Sequence, residues 1–208
     1  MDIIILGSGG QADEAESFLP DGVRASFNAV DPEFIDGANL THRIDINAPH
    51  DSETIATAAV GAPGLRKELV EKWGGNSNYY SIQAGSSEVA ESSTVEDGCI
   101  VAPGVIVTTN IRIGMHTIIN TAATIGHNCD IGEYVTISPG VNVAGNVRIG
   151  DGVFVGIGAV ISSGVKVAAG SVVGAGAVVV DDVVEKNSLV VGVPAKPVRV
   201  NKGWLHEI

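Results

Sequence analysis

The chain has 208 residues and a formal net charge of −12, with a sequence pI near 4.6 and only 4% aromatic residues. So acidic a surface would repel the phosphates of nucleic acid, which argues against that partner, and the length allows one or two domains. The opening apolar run, 1–6, is too short for a signal peptide, and no segment approaches the roughly 18 apolar residues of a membrane span, so a cytoplasmic protein without membrane contact is predicted.

The N-terminal segment reads as a strand, a glycine-rich turn and a helix. The predicted strand is 3–6, the turn is GSGGQA at 7–12, and the helix runs to about Leu19. Free backbone N–H groups and the helix dipole at such a turn favour a bound anion or nucleotide. The turn also fits the dinucleotide fingerprint, and Asp31 follows a second predicted strand, 23–30, where a ribose-binding carboxylate would sit.

Alternation of strands and helices continues beyond this unit. Further strands are predicted at 55–60 and 79–83, with a helix from Pro63 to about Trp73 between them, since proline suits the first turn of a helix. The pattern predicts a small parallel α/β sheet. About 80 residues make only half of a complete dinucleotide-binding domain, so a nucleotide-bearing substrate is favoured over NAD. A purely structural glycine turn is the other interpretation.

From position 89 the sequence repeats with a period of six residues. Sixteen successive sixth positions are Val or Ile, the next residue is often glycine, and the fourth residue after is small or apolar. Six is not a helical period, and β-branched residues favour a pleated, half-buried surface. The sixteen are Val89, Val95, Val101, Val107, Ile113, Ile119, Ile125, Ile131, Ile137, Val143, Ile149, Val155, Ile161, Val167, Val173 and Val179.

A fixed six-residue period is typical of a solenoid β-helix. Each unit supplies a short strand and a corner, where glycine tolerates unusual backbone angles. Three units close one triangular coil, so residues eighteen apart stack on one face and the repeat makes about five coils. The predicted organisation is an α/β domain at 1–84, the β-helix at 85–184 and a C-terminal tail at 185–208.

Cysteines and basic residues complete the inventory. Cys99 and Cys129 share the inward phase but are 30 residues apart, not a multiple of eighteen, so they are predicted to be buried, reduced thiols on different faces. Five of the twelve basic residues cluster late in the chain, where they would either meet the phosphates of a large anion or simply be solvated. They are Lys166, Lys186, Lys196, Arg199 and Lys202.

The whole plan resembles the hexapeptide-repeat acyltransferases, and within them the sialic-acid O-acetyltransferase-like family and the N-acetyltransferases of nucleotide-linked 4-amino-4,6-dideoxy sugars. The matching segments are IILGSGG at 4–10, IINT at 118–121, IGHNCDIG at 125–132, AGNVRIG at 144–150 and VGVPAK at 191–196. The resemblance implies a left-handed coil, a homotrimer, and acetyl-coenzyme A in the groove between neighbouring β-helices. No metal is predicted, because a three-histidine site would require suitably spaced histidines on facing sides, and His116 and His127 alone are too few.

The resemblance also implies a catalytic centre. His127 occupies the position of the family's catalytic histidine, and its phase, two after Ile125, independently predicts that it points outward. An imidazole titrates near neutral pH, which suits a general base. Gly145, eighteen residues on, would place a backbone N–H near the thioester oxygen. His116 also has an outward phase and is the fallback base.

Three positions depart from the family pattern. Asn128 replaces the acidic residue that follows the catalytic histidine, so it can orient the ring but adds no charge, unless Asp130 or Glu133 helps. Gln11 replaces a histidine that contacts the sugar nucleotide, and Thr136 replaces a second histidine near the acetyl group.

The implied ligand sites follow by residue-wise matching. Ile157, Ala175, Thr136, Gly145 and Lys196 would bind coenzyme A. The sugar-nucleotide pocket would comprise Gly9, Gly10, Gln11, Asp31 and Gly61. The predicted function is acetyl-CoA-dependent N-acetylation of a nucleotide-linked 4-amino-4,6-dideoxy sugar. The alternatives are O-acetylation of a sialic-acid-type sugar and a non-catalytic β-helix that serves as a binding module.

Overall fold

A computed structural model describes residues 1–35, 43–51, 53–74 and 78–207. These ranges form a small parallel α/β sheet followed by a three-sided parallel β-helix. Within them no helix has both the length and the apolar character needed to cross a lipid bilayer.

The N-terminal sheet contains five parallel strands in the order β3-β2-β1-β4-β5. The strands predicted at 3–6, 23–30 and 55–60 and both predicted helices are present. The sheet also contains a short strand, β3, which was not predicted because three residues are too few to reveal an alternation. The elements are β1 Asp2–Leu6, α1 Gly10–Ser17, β2 Arg24–Val30, a 3₁₀ turn Pro32–Phe34, β3 Arg43–Asp45, β4 Ile55–Ala58, α2 Pro63–Gly74 and β5 Asn78–Tyr79.

The strand predicted at 79–83 is divided between the two sheets. β5 ends the α/β sheet, whereas β6, Ile82–Gln83, pairs with residues 100–101 of the coil. Ile82 lies eighteen residues before Ile100 in this pairing, so it already has the coil register. The β-helix therefore begins before the first Val of the periodic run.

The coil itself consists of two-residue strands, each paired in parallel with the strand eighteen residues on. They are β7 Glu88–Val89, β8 Thr94–Val95, β9 Ile100–Val101, β10 Ile106–Val107, β11 Arg112–Ile113, β12 Ile118–Ile119, β13 Thr124–Ile125, β14 Asp130–Ile131, β15 Thr136–Ile137, β16 Asn142–Val143, β17 Arg148–Ile149, β18 Phe154–Val155, β19 Val160–Ile161, β20 Lys166–Val167, β21 Val172–Val173 and β22 Val178–Val179.

The strands form three faces. Sheet 1 contains β6, β9, β12, β15, β18 and β21, sheet 2 runs from β7 to β22, and sheet 3 runs from β8 to β20. Each corner is named by the two sheets that it joins. In one coil, corner 1/2 is 120–123, corner 2/3 is 126–129 and corner 3/1 is 132–135. The equivalent positions of the other coils have the same names. Beyond the repeat, β23 Ser188–Val191 extends sheet 1 and pairs antiparallel with β24 Lys196–Val200.

The interior of the coil is the predicted aliphatic column. From Val101 to Val179 the Val and Ile positions are buried, together with the residues four places after them. Cys99 and Cys129 are buried free thiols on different corners, as predicted. Burial raises the pKa of Cys99 to about 12, so this thiol stays protonated and unreactive.

The structure shows two different reasons for small residues at the corners, which the sequence interpretation treated as one. The corner residue with left-handed backbone is the third after each Val or Ile, with φ between 55° and 78° from Gly98 to Gly176. The residue directly after Val or Ile is small for another reason, since a Cβ on Gly126 would lie 2.7 Å from the backbone carbon of Ala144 in the next coil. Coil stacking, rather than backbone angle, selects glycine there.

The α/β sheet packs on sheet 1. Ile3 and Ile5 share a buried cluster with Ile82, Ile100 and Ile118. The apolar outer side of sheet 1 thus has a cover that sheets 2 and 3 lack.

One buried cation ties the two parts together. Arg66 of α2 is 0% exposed and donates to the carbonyl oxygens of His116 at 2.8 Å and Tyr134 at 2.7 Å on the coil, and of Val60 in the α/β sheet. Burial lowers the pKa of Arg66 to about 9, which leaves it charged at neutral pH. Backbone carbonyls therefore take the place of water around this guanidinium.

Candidate active site

His127 lies at corner 2/3 and is exposed, as its phase predicts. The imidazole rests directly on the next coil, because a Cβ on Gly145 would lie 2.6 Å from Cε1 and Nε2 of the ring. Only glycine at 145 allows this approach. The backbone N–H of Asn146 donates to the His127 carbonyl at 2.8 Å and fixes the spacing of the two coils.

A ladder of three asparagines runs beside the ring. Asn110, Asn128 and Asn146 occupy the left-handed position of successive coils, with φ of 58°, 59° and 62°, which asparagine tolerates better than most residues. Their amides join at 3.3 and 3.4 Å. Nδ2 of Asn128 also lies 3.2 Å from Nδ1 of His127. The residue that replaces an acid in this chain therefore contacts the imidazole.

A polar column continues from His127 along the corner at intervals of eighteen residues. Ser163 Oγ donates to the carbonyl of Gly145 at 2.7 Å. The Gly145 N–H has no acceptor among the described residues. Asp181 ends the column, and Nζ of Lys196 lies 3.3 Å from its Oδ2. The predicted base, the predicted N–H donor and the predicted cation thus lie along one edge of the coil.

Ile157 and Ala175 lie on the other edge of sheet 2, stacked at corner 1/2, and both are exposed. Ile157 is 59% exposed, which is unusual for so large an apolar side chain. About six extended residues, on the order of 20 Å, separate the two edges. One chain therefore cannot line a single narrow groove with both His127 and Ile157.

Thr136 does not line a groove. It is 1% exposed and lies under the α/β domain, where its hydroxyl donates to the Gly61 carbonyl at 2.6 Å and accepts from Arg66 at 3.0 Å. The prediction that Thr136 contacts coenzyme A is wrong for this reason. Residue-wise matching placed it by sequence distance from His127, but sheet 1 is the face that the α/β domain covers.

The fallback base and the assisting carboxylates are also misplaced. His116 points out of the coil but is only 2% exposed, between the rings of Tyr79 and Tyr134. Burial lowers the pKa of His116 to about 4. Asp130 is paired with Arg112 at 3.3 Å, and Glu133 lies at the next corner. The side-chain contact given for the His127 ring is with Asn128 and not with any of these groups.

The outer side of sheet 3 has a concavity of ≈ 470 Å³. Arg112, Asp130, Arg148 and Lys166 stand on neighbouring strands there and line it. It contains none of the residues that the resemblance assigns to coenzyme A or to the sugar nucleotide.

The predicted nucleotide residues do come together. Gly9, Gly10, Gln11, Asp31 and Gly61 line one cavity of ≈ 710 Å³. It lies outside the carboxyl ends of β1 and β4, which carry connections to opposite sides of the sheet, and this is where doubly wound sheets bind ligands. At the start of α1, the N–H groups of Gly10 and Gln11 have no acceptor among the described residues, whereas those of Ala12 and Asp13 donate to the Gly9 carbonyl. Asp31 is held by Lys72 Nζ at 3.0 Å.

A sequence model of the bacterial transferase hexapeptide, in its form with six repeats, matches residues 146–181. Residues 146–181 therefore carry bacterial transferase hexapeptide repeats. The fold predicted from the sequence, a half-Rossmann-like α/β domain joined to a left-handed parallel β-helix with a short tail, is confirmed. No curated protein sequence matches the chain.

Several solved structures are similar to this chain over nearly its full length. A histidine-to-asparagine variant of perosamine N-acetyltransferase from Caulobacter crescentus, in complex with CoA and GDP-perosamine, is 27% identical, with 96% of this chain and 97% of that chain covered and a TM-score of 0.87. The acetyltransferase domain of PglB from Neisseria gonorrhoeae, in complex with acetyl coenzyme A, is 26% identical, with coverages of 95% and 98% and a TM-score of 0.83. WeeI from Acinetobacter baumannii is 26% identical, with coverages of 95% and 100% and a TM-score of 0.79.

Sequence reasoning missed several residues of the pocket. Phe34 and Arg43 enter it beyond β2, and His206 and Glu207 enter it from the end of the chain. Nothing in the sequence pattern connects position 206 with position 9, since neither repeat nor strand alternation extends to the tail. His42 lies outside the described residues. Among those described, no three His, Cys, Asp or Glu side chains group as metal ligands would.

Proposed function

We propose that the protein is an acetyl-CoA-dependent N-acetyltransferase that acts on a nucleotide-linked 4-amino-4,6-dideoxy sugar. The observation that carries this proposal is the likeness, over 96% of the chain, to an enzyme that holds CoA and GDP-perosamine. Two local features support it. A nucleotide-sized cavity lies at the switch point of the α/β sheet, and an exposed imidazole lies against a glycine with a free N–H.

His127 acts as the general base in this proposal. The neutral sugar amine attacks the thioester carbonyl, so the C–N bond forms while His127 takes the amine proton. The Gly145 N–H donates to the oxyanion of the tetrahedral intermediate. Collapse of the intermediate breaks the C–S bond and releases the CoA thiolate, which the imidazolium can protonate. Transfer is direct, within one complex of both substrates.

The asparagine ladder bears on the tautomer of the base. For Nε2 to accept a proton, Nδ1 must carry hydrogen and donate it. Rotation of the three amides of Asn110, Asn128 and Asn146 by half a turn keeps every rung intact and presents Oδ1 of Asn128 to Nδ1. The ladder in this direction holds the imidazole as a base without adding charge.

A homotrimer is part of the proposal, because one chain lacks a complete site. His127 and Gly145 lie on one edge of sheet 2, and Ile157 and Ala175 on the other. If sheet 2 faces a threefold axis, corner 2/3 of one chain meets corner 1/2 of the next. Acetyl-coenzyme A would then lie between them, with Lys196 near its phosphates.

The outer surface of sheet 2 suits such an interface. Beyond Glu88 its outward residues carry no charge, and Ile106 and Val160 are 41% and 37% exposed. Sheet 3 instead presents the charged row of Arg112, Asp130, Arg148 and Lys166, which suits solvent. The outward residues of sheet 2 after Glu88 are Ile106, Thr124, Asn142, Val160 and Val178.

Turnover with defined substrates tests the function. Acetyl-CoA is supplied with GDP-perosamine, with UDP-linked 4-amino-4,6-dideoxy sugars and with a sialic-acid-type hydroxyl acceptor, and the acetylated product is measured by mass spectrometry. We expect acetylation of an amino sugar, and a fall of about 10²- to 10⁴-fold in kcat for His127→Ala with an unchanged oligomer, because a positioned base contributes that much. His50→Ala, at an exposed histidine elsewhere, is the control. Full activity of the His127 variant would remove it as the base, and acetylation of the hydroxyl acceptor alone would replace the N-acetyl assignment.

A further inference from the structure

The last described residues, 201–207, fold back over the molecule and are named here the C-terminal arm. Trp204 is its central anchor, with its indole against Gly152 and Gly170 at corner 3/1. A side chain at either glycine would occupy the space of the indole. Lys67 of α2 places Nζ 4.9 Å from the ring centroid, a cation–π contact. The arm is thus held by both the coil and the α/β domain.

The arm also caps the start of α2. The Gly64 N–H donates to the Leu205 carbonyl at 2.8 Å, and a Cβ on Gly64 would lie 2.5 Å from the His206 ring. The backbone of Gly64 is helical, so its angles do not require glycine, and glycine costs a helix about 1 kcal/mol relative to alanine. The fit of the arm is what explains glycine at this position.

Beyond this cap the arm enters the nucleotide cavity. His206 and Glu207 line it, on the side of β4 and α2, together with Gly61 and Ala62. His206 is steadied by its own contacts, Nδ1 at 3.2 Å from the Trp204 carbonyl and Nε2 at 3.8 Å from Glu68. Glu207 is exposed and has no ion pair among the described residues.

The two sides of the cavity differ in chemistry. The β2 side offers Asp31, Phe34 and Arg43, and the first turn of α1 lies between the two sides. In a doubly wound sheet the nucleoside lies beyond the second strand and its phosphates lie at the first helix. The group attached to the phosphates then extends toward β4, where the arm is.

We propose that His206 and Glu207 recognise the sugar of the nucleotide-linked substrate, with the Glu207 carboxylate accepting hydrogen bonds from its hydroxyl or amino groups. This inference rests on the proposed function. It assigns to the C-terminal arm a part in substrate specificity that neither the repeat nor the glycine-rich turn contains.

Paired ligands test the assignment. Dissociation constants are measured by calorimetry for GDP-perosamine and for GDP, and for a UDP-linked 4-amino-4,6-dideoxy sugar and UDP. We expect Glu207→Gln to weaken binding of the sugar nucleotide about tenfold, the effect of losing a hydrogen bond to a charged group, and to leave the bare nucleotide unchanged. Gly64→Ala should act in the same direction, because it displaces the arm without touching the cavity. Glu16→Gln, the same change at an exposed glutamate outside the cavity, is the control.

Each other outcome has a distinct meaning. Equal weakening of sugar nucleotide and bare nucleotide would place the arm at the nucleoside and overturn the assignment. Unchanged affinities in both Glu207→Gln and Gly64→Ala would also overturn it. A wild-type protein that binds neither sugar nucleotide would instead refute the proposed function, and the assignment with it.

Discussion

At the scale of single residues, the contact between Asn128 and His127 sets the character of the candidate base. An amide 3.2 Å from Nδ1 can orient the ring, but it does not stabilise the imidazolium as a carboxylate would. A base of this kind has to work with a sugar amine that is already neutral. The pH dependence of the reaction should therefore change with the residue at position 128.

Asn128→Asp should move the acidic limb of the kcat/KM profile to higher pH, by up to about one unit. The new carboxylate favours the charged imidazolium, so it raises the pKa of the base, and the base is then lost at a higher pH as acid is added. The measurement is kcat/KM between pH 5 and 9. Asn110→Asp, one coil away and without contact to the ring, should shift the limb less. Identical profiles for wild type and Asn128→Asp would mean that another group sets the limb.

The position of His127 could be predicted from the sequence because a six-residue period fixes which side chains leave the coil. The burial of His116 could not. It has an outward phase too, but its exposure depends on Tyr79 from another domain and Tyr134 from the next coil. Periodicity describes a coil in isolation, and it does not show which outer face a second domain covers.

At the scale of elements, helix α2 and sheet 1 form an interface with two unusual buried groups. Arg66 has its acceptors there, whereas Nδ1 of His116 is buried with no partner among the described residues. Burial, and then the nearby Arg66, lower the pKa of His116 from 6.5 to about 4, so the ring is neutral in the folded protein at pH 7. The interface is built for an uncharged imidazole.

Acid should therefore weaken this interface. The folded pKa of His116 lies below the unfolded value, so its contribution to stability is present above pH 6.5 and is lost as pH falls toward 4, at most about 3 kcal/mol. His116→Asn keeps a side chain that tolerates the left-handed backbone and cannot ionise. Urea unfolding at pH 7 and pH 4.5 should show a smaller loss of the free energy of unfolding in this variant. Equal losses in both proteins would contradict the assignment.

The elements themselves were largely predictable, and the exceptions have physical reasons. The coil strands repeat sixteen times, so their register is overdetermined, whereas β3 has three residues and no repeat. The strand predicted at 79–83 fails because two sheets meet within it, and hydrophobicity alone does not reveal a change of partner. Arg66 reads as an ordinary helix residue, because only the packed structure places six acceptors around it.

At the scale of the whole molecule, the uncharged outer face of sheet 2 is the proposed contact between chains. A charge placed there would be buried near the threefold axis in each of the three chains. Desolvation of such unpaired charges costs several kcal/mol. Thr124→Glu should therefore reduce the trimer to monomers and lower turnover at least tenfold.

Thr94→Glu provides a matched control, because it introduces the same side chain at the same phase on sheet 3, beside Arg112. Light scattering coupled to gel filtration gives the mass of each variant. A trimeric, active Thr124→Glu protein would exclude sheet 2 as the interface. Dissociation of both variants would point to general destabilisation of the coil rather than to one face.

The nucleotide cavity opens beside Gly61, over sheet 1, whereas His127 stands where sheets 2 and 3 meet. In a threefold ring the acceptor held by one chain would thus reach the imidazole of its neighbour. Loss of the base in one chain would then stop turnover of the substrate that is bound to the neighbouring chain, and not of the substrate that the same chain binds. Two inactive proteins, one damaged at position 127 and one in the cavity, would restore part of each other's activity when they assemble together.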